Sequence, residues 1–261
     1  MKAIIPAAGY ATRLYPLTRD TPKALLEVKG KPILEHILSK IREVKAIDEV
    51  LIVTNARFYE NFDYWLEEFQ EKHRDFGVKI KIINDHTQSN EDRLGTMGDL
   101  QYVFDEEKLD EDFMVVNGDN LFNFSLNVPY ELFESQRKAS QGKVCAGKPL
   151  VGLYGGLSKA EVAGKFGVVE LNGSNLVKGF EEKPLEPKSN LISTGIYFFP
   201  KAAIGLIGQF LAEGGKADAP GYFLEWLHTR EQVMGFVFKD KWFDIGSFEQ
   251  LGKAREEFNG G

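Results

Sequence analysis

The feature that most constrains this chain is an alternation. In its first half, short runs rich in Val, Ile and Phe are separated by stretches whose apolar residues recur at helical spacing. Lys2 to Ile5, Glu49 to Val53, Val78 to Ile83 and Phe113 to Val116 each end in polar turn residues and read as strands. Pro32 to Val44 carries Ile33, Ile37, Ile41 and Val44 on one helical face, behind a proline suited to a first helical turn. Phe58 to Lys72 does the same with Phe62, Trp65, Leu66 and Phe69, and Met97 to Phe104 reads as a shorter helix. Strands alternating with helices predict a doubly wound α/β fold, a mostly parallel Rossmann-like sheet with helices on both faces.

The second half has a different rhythm. Val151 to Tyr154, Gly167 to Leu171, Leu176 to Phe180, Ile192 to Phe199 and Val233 to Phe238 are strand-like, with few helices between the middle ones. Leu171-Asn172-Gly173-Ser174-Asn175 reads as a hairpin turn, so a more antiparallel extension is expected there. Glu134 to Gly147 is the most polar stretch and reads as a mobile loop. Neither a repeat nor a low-complexity linker divides the 261 residues, so residues 1–261 are read as a single domain.

Composition excludes several classes. The net charge of −7 argues against sequence-independent nucleic-acid binding. No apolar stretch approaches the ~18 residues of a membrane span, and Met1 to Pro6 lacks a signal-peptide layout. The single cysteine, Cys145, rules out an internal disulfide framework and a multi-cysteine zinc site. These features together fit a cytoplasmic protein without membrane or nucleic-acid partners. The four histidines, His36, His73, His86 and His228, show no metal-ligand spacing.

The chemistry-bearing residues begin after the first strand, at Ala7-Ala8-Gly9-Tyr10-Ala11-Thr12-Arg13-Leu14-Tyr15-Pro16-Leu17-Thr18. A turn at the carboxyl end of strand one is where open α/β sheets bind ligands. Its backbone N–H groups suit phosphates, and Arg13 can pair with them bidentately. Pro22 presents Lys23 from a stiff turn, and two cations at one loop suit a triphosphate better than a single phosphate. The dinucleotide fingerprint G-x-G-x-x-G fails, because Ala11 and Leu14 stand where glycines are needed. A near match to the G-x-x-x-x-G-K-[ST] loop at Gly142 to Lys148 ends in Pro149 and follows no strand.

Taken together, Gly9 to Arg13, Pro16-Leu17-Thr18, Pro22-Lys23 and Leu25-Leu26 resemble the N-terminal signature of the sugar-1-phosphate nucleotidyltransferases, the enzymes that make nucleotide-sugars. The usual signature has a second glycine where this chain has Ala11. Later segments resemble the family in order. Val115-Val116-Asn117-Gly118-Asp119 looks like the strand ending in a magnesium-binding Asp, and Trp242-Phe243-Asp244-Ile245-Gly246-Ser247 like the element with the second. Phe166-Gly167-Val168-Val169 is similar to the Tyr-Gly segment near the sugar, and Ser193-Thr194-Gly195-Ile196-Tyr197 to the strand lining it. Glu181-Glu182-Lys183-Pro184 looks like the Glu-Lys-Pro element, whose Lys binds the sugar phosphate and whose Glu contacts sugar hydroxyls. Leu94-Gly95-Thr96-Met97-Gly98-Asp99 resembles the nucleobase loop, most like its Leu-Gly-Thr-Ala-Gly form.

The resemblance spans Lys2 to about Ala254 and implies a transfer joining a nucleoside triphosphate to a sugar-1-phosphate, with pyrophosphate released and Mg2+ as cofactor. It implies catalytic roles for Arg13, Lys23, Asp119, Lys183 and Asp244, with Asp119 and Asp244 holding the metal. It assigns the nucleotide to Ala7, Ala8, Gly9, Thr12, Arg13, Lys23, Gly95 and Gly118 in residues 1–120, and the sugar phosphate to Gly167, Glu182, Lys183, Thr194 and Gly195 in residues 150–247. Two alternatives within the fold stay open: a cytidylyltransferase for a non-sugar phosphate such as phosphocholine, and a catalytically silent regulatory subunit. A Rossmann oxidoreductase is disfavoured by the missing glycines. The nucleobase, the sugar and the oligomeric state are open, and a homo-oligomer is compatible with the sequence.

Overall fold

The computed structural model describes residues 1–139 and 147–259. In chain order its elements are β1 (Lys2–Pro6), β2 (Glu27–Val28), β3 (Lys31–Pro32), α1 (Ile33–Ile41), β4 (Glu49–Thr54), α2 (Tyr59–Lys72), β5 (Lys79–Asn84), α3 (Gly95–Glu107), β6 (Phe113–Val116), β7 (Asn120–Phe122) and α4 (Asn127–Ala139). There follow β8 (Leu150–Tyr154), α5 (Lys159–Val162), β9 (Gly167–Leu171), β10 (Val177–Glu182), β11 (Leu191–Phe199), α6 (Ala203–Ala212), α7 (Pro220–Leu227), β12 (Met234–Phe238), β13 (Trp242–Asp244) and α8 (Phe248–Glu257).

β6, β1, β4 and β5 lie side by side and run parallel, as the crossover helices require. The pleat of β1 sends Ala3 and Ile5 to one face and Ile4 to the other. On the first face they meet Ile33, Ile37 and Ile41 of α1, Phe62 and Trp65 of α2 and Leu251 of α8. On the second, Ile4 joins Leu100 and Val103 of α3, Ile207 of α6 and Phe223 of α7. Both faces of the parallel sheet are therefore covered, which is why its strands read as unbroken apolar runs.

The antiparallel extension is built on β11. Ile192 pairs with both Val168 and Tyr154, and Tyr197 with both Val115 and Val151. Hence β8 runs along one edge of β11, while β9 and then β6 succeed each other along the other. Between those two partners, residues 193–195 are left without a strand on that side, and Gly195 takes a φ of 77° there. The sheet opens at this point, close to the carboxyl end of β6.

The hairpin at Asn172 forms as expected: its Oδ1 accepts from the N–H groups of Ser174 and Leu176. Two expectations need correction. The polar segment from Glu134 begins as helix, because α4 continues to Ala139 and buries Phe133 on its inner face; residues 140–146, with Cys145, lie outside the described residues. The helix read at Met97 to Phe104 runs from Gly95 to Glu107. The sequence reading also lacked the two-stranded ribbon in which β13 pairs with β7, Asp244 opposite Asn120.

Candidate active site

Three adjoining cavities occupy the crevice, and Thr96 lines all of them. The largest, about 370 Å³, lies over the opening in β11. The second, about 270 Å³, lies against the loop after β1, and a third of about 140 Å³ connects it to Asp119.

The loop after β1 owes its shape to local devices. Ala11 sits in the left-handed region at φ 46°, ahead of the 3-10 turn Thr12–Leu14 that carries Arg13. The buried Thr18 hydroxyl donates to the Ala11 carbonyl at 2.8 Å, and Asn55 donates to the Ala8 carbonyl at 2.7 Å. Pro22 precedes a second 3-10 turn, Lys23–Leu25. From it the Lys23 ammonium reaches the Asp119 carboxylate, Nζ to Oδ2, at 2.6 Å.

Asp119 follows β6, and the β7–β13 ribbon delivers Asp244 to it. The Ile245 N–H donates to the Asp119 carbonyl at 3.0 Å. Asn120 carries the link in side chains: its Nδ2 donates to Asp119 Oδ1 at 3.0 Å, and its Oδ1 accepts from the Trp242 indole N–H at 2.6 Å. Burial, reinforced by the nearby Asp119 charge, pushes the Asp244 carboxyl well above the usual carboxylate range, against the pull of Lys23, Arg13 and Lys183. Gly246 lies beside this group: its N–H donates to Gln250 Oε1 at 2.9 Å, and a Cβ there would stand 3.1 Å from the same oxygen.

The far wall comes from β10 and its exit. Glu182 is nearly enclosed and bridges to Lys183 Nζ at 3.5 Å, while burial raises its carboxyl. The Glu182 carboxylate lies against Gly167 and Gly221, and a Cβ on Gly167 would stand 2.8 Å from Oε2. Lys183 itself takes a φ of 52°, which turns the chain as it leaves the strand.

The residues singled out in the sequence converge. Arg13, Asp119, Gly167, Glu182, Lys183, Thr194, Gly195 and Asp244 all line the largest cavity. Ala8, Gly9, Thr12, Arg13, Lys23 and Gly95 line the second, and Ala7 and Gly118 the third. Thr194 contributes backbone rather than hydroxyl, because its Oγ1 donates to the Gly152 carbonyl at 2.9 Å. Gly95 has a backbone duty: at φ 75°, its missing Cβ would lie 2.7 Å from the Ala217 carbonyl oxygen. Asn117, Asn120, Lys165, Asp218 and Trp242 also line the largest cavity and were missed. Asn117 and Asn120 flank Asp119 closely enough to have been found as polar residues at a strand end. Lys165 and Asp218 carry no such signal.

Asp119, Glu182, Asp218 and Asp244 outnumber the cations Arg13, Lys165 and Lys183 around the largest cavity. Among the described residues no group of three or more His, Cys, Asp or Glu side chains could hold a metal by itself. A cation here would therefore take two carboxylates and complete its shell from a ligand's oxygens.

A family model described as nucleotidyl transferase matches residues 2–259. Among curated proteins, the bifunctional protein GlmU of Methanocaldococcus jannaschii is 30% identical over 247 residues, 94% of this chain and 51% of that protein. The UTP–glucose-1-phosphate uridylyltransferase AglF of Haloferax volcanii is 32% identical over 202 residues, 77% of this chain and 73% of its own. The chain thus spans about half the length of the GlmU protein it matches. A solved UDP-glucose pyrophosphorylase complexed with UDP-glucose superposes with a TM-score of 0.77 at 22% identity, covering 97% of this chain and 96% of the other. With the α/β sheet, the crevice and the matched span in agreement, this chain belongs to the nucleotidyl transferase family.

Proposed function

We propose that the protein condenses a nucleoside triphosphate with a sugar-1-phosphate, giving a nucleotide-sugar and pyrophosphate. The observation that carries this reading is the joining of two differently equipped cavities: Arg13 and Lys23 line one, Lys183, Glu182, Asp119 and Asp244 line the other, Arg13 borders both, and the third cavity links Lys23 to Asp119. The relatives' names, a uridylyltransferase for glucose-1-phosphate among them, support the same reaction class.

In this reading a phosphate oxygen of the sugar-1-phosphate attacks the α-phosphorus in line. The new P–O bond forms as the bond to the β-phosphate oxygen breaks, and pyrophosphate leaves with that electron pair. No protein nucleophile is required; positioning and charge neutralisation supply the catalysis. Arg13 and Lys23 hold the triphosphate and the departing pyrophosphate. Lys183 holds the attacking phosphate, and Glu182, fixed between Gly167 and Gly221, accepts from sugar hydroxyls. The backbone of Ala7, Ala8, Gly9, Thr12, Gly95 and Gly118 frames the nucleotide, and that of Thr194 and Gly195 the sugar. Residues 1–120 thus serve the nucleotide and residues 150–247 the sugar phosphate, within one domain.

Asp119 and Asp244 would hold Mg2+, and the acid excess at the cavity fits that role. When bound, such an ion screens the charge between the two approaching phosphates. No helix of the described residues is long and apolar enough to cross a membrane, which supports the proposal of a cytoplasmic enzyme. The test is a matrix of five triphosphates against several sugar-1-phosphates and phosphocholine, read by pyrophosphate release. Release with a sugar phosphate is expected. Release with phosphocholine alone, or with none, would overturn the reading.

A further inference from the structure

The nucleotide-side cavity holds a second acid pair that the proposed transfer does not use. Asp85 follows β5 and Asp99 lies on α3. Each is 5% exposed, and both line this cavity together with Arg13 and Lys23. Asp85 Oδ1 accepts from the Thr87 N–H and the Thr87 hydroxyl, both at 2.8 Å. Asp85 Oδ2 and Asp99 Oδ1 are enclosed and receive no donor from a protein N–H or neutral hydroxyl. The two carboxyl groups instead share a hydrogen bond, which requires one proton between them.

Among the described residues no cation pairs with the charge left on these two carboxyls. Asp85 feels Thr87, Asp99 and Asp92, and Asp99 feels Asp85. Glu182, by contrast, has Lys183, and Asp244 has Lys23, Arg13 and Lys183. Arg93 lines the same cavity, yet it bridges to Asp218 at 2.7 Å and donates to Asn90 at 2.6 Å. The two enclosed oxygens, Asp85 Oδ2 and Asp99 Oδ1, face each other; the remaining Asp99 oxygen, Oδ2, is not enclosed and has no donor among the described residues, so where Asp99 lines the cavity it calls for an N–H from whatever fills that cavity.

Charge also orients the occupant. Phosphates go to Arg13 and Lys23 and are repelled by the acid pair, so the base is the part of a nucleotide that meets Asp85 and Asp99. Guanine presents adjacent N1–H and N2–H donors. Uracil and thymine flank their one N–H with two carbonyl acceptors, and adenine and cytosine set a ring-nitrogen acceptor beside their amino group. An acceptor wall rewards the first pattern and leaves buried groups mismatched against the others.

We propose that Asp99, backed by Asp85, is the base-reading residue of this cavity and selects guanine. This rests on the nucleotide-transfer reading above, and its test separates the two.

Binding of GTP, ATP, CTP, UTP and dTTP to the full chain is measured by ligand-induced thermal shift and titration, alongside pyrophosphate release. GTP should bind at least about tenfold more tightly than the other four. Any other order, or equal binding, overturns the assignment, whether or not pyrophosphate is released. A guanine preference without release leaves the assignment standing and removes the transfer reading. The isosteric variant Asp99→Asn keeps an N–H to donate to Asp85 and a carbonyl acceptor for the base, so it should retain the preference for GTP. Asp99→Ala removes that acceptor and should lower the GTP to ATP affinity ratio at least about tenfold. Loss of the preference in Asp99→Asn, or equal losses for both nucleotides in Asp99→Ala, would mean that Asp99 does not read the base.

Discussion

Lys23 holds Asp119 at 2.6 Å and lines the nucleotide-side cavity at once, so its removal acts on two groups. Lys23→Ala should raise the Michaelis constant for the triphosphate and also lower turnover, because Asp119 loses the partner that fixes it. Lys183 contacts Glu182 on the opposite wall, and Lys183→Ala should raise the Michaelis constant for the sugar phosphate about tenfold while sparing that for the triphosphate. Steady-state kinetics with each substrate varied separately will show the split; matching changes in one constant would refute it. Asp119→Ala or Asp244→Ala should each slow turnover at least about 10²-fold, near 3 kcal/mol of barrier. A residue like Lys23 was legible in the sequence because Pro22 and the later motifs surround it. Its bond to Asp119 was not, since nothing local relates positions so far apart.

At the scale of elements, the junction of α3 with the segment before α7 rests on a close approach of backbones. The Met97 N–H donates to the Ala217 carbonyl at 2.9 Å, and Gly95 lies under the same carbonyl at φ 75°. Gly95→Ala should therefore cost about 1–3 kcal/mol, from the left-handed backbone and the contact together. Urea unfolding would measure it, and an unchanged midpoint would show that the segment yields. The strands of the parallel sheet were legible in the sequence because burial on both faces writes continuous apolar runs. The ribbon of β7 and β13 was not, because three residues are too few to write a period. That short ribbon is what sets Asp244 beside Asp119.

The whole molecule should register the acid pair in its pH dependence. Burial, with the Asp85 charge second, pushes Asp99 up to about 8 from an ordinary 3.8. The folded state therefore holds a proton that the unfolded chain has released, and stability falls as pH rises from about 4 to about 8. Asp99→Asn removes this titration, so its stability relative to wild type should grow across that window, by at least about 1 kcal/mol at pH 9. Denaturant unfolding at several pH values would check it, and parallel curves would exclude the linkage. The sequence by itself determined the α/β alternation, the antiparallel second half and the order of the motifs, because periodicity and turn chemistry are local properties of a chain. The tertiary structure decided which of those residues meet. The parting of β9 and β6 along β11 opens the crevice, the ribbon pairs Asp119 with Asp244, and the packing of α3 near the end of β5 sets Asp99 against Asp85. Each meeting is fixed by strand pairing or helix packing between distant segments, and no spacing along the chain encodes those distances.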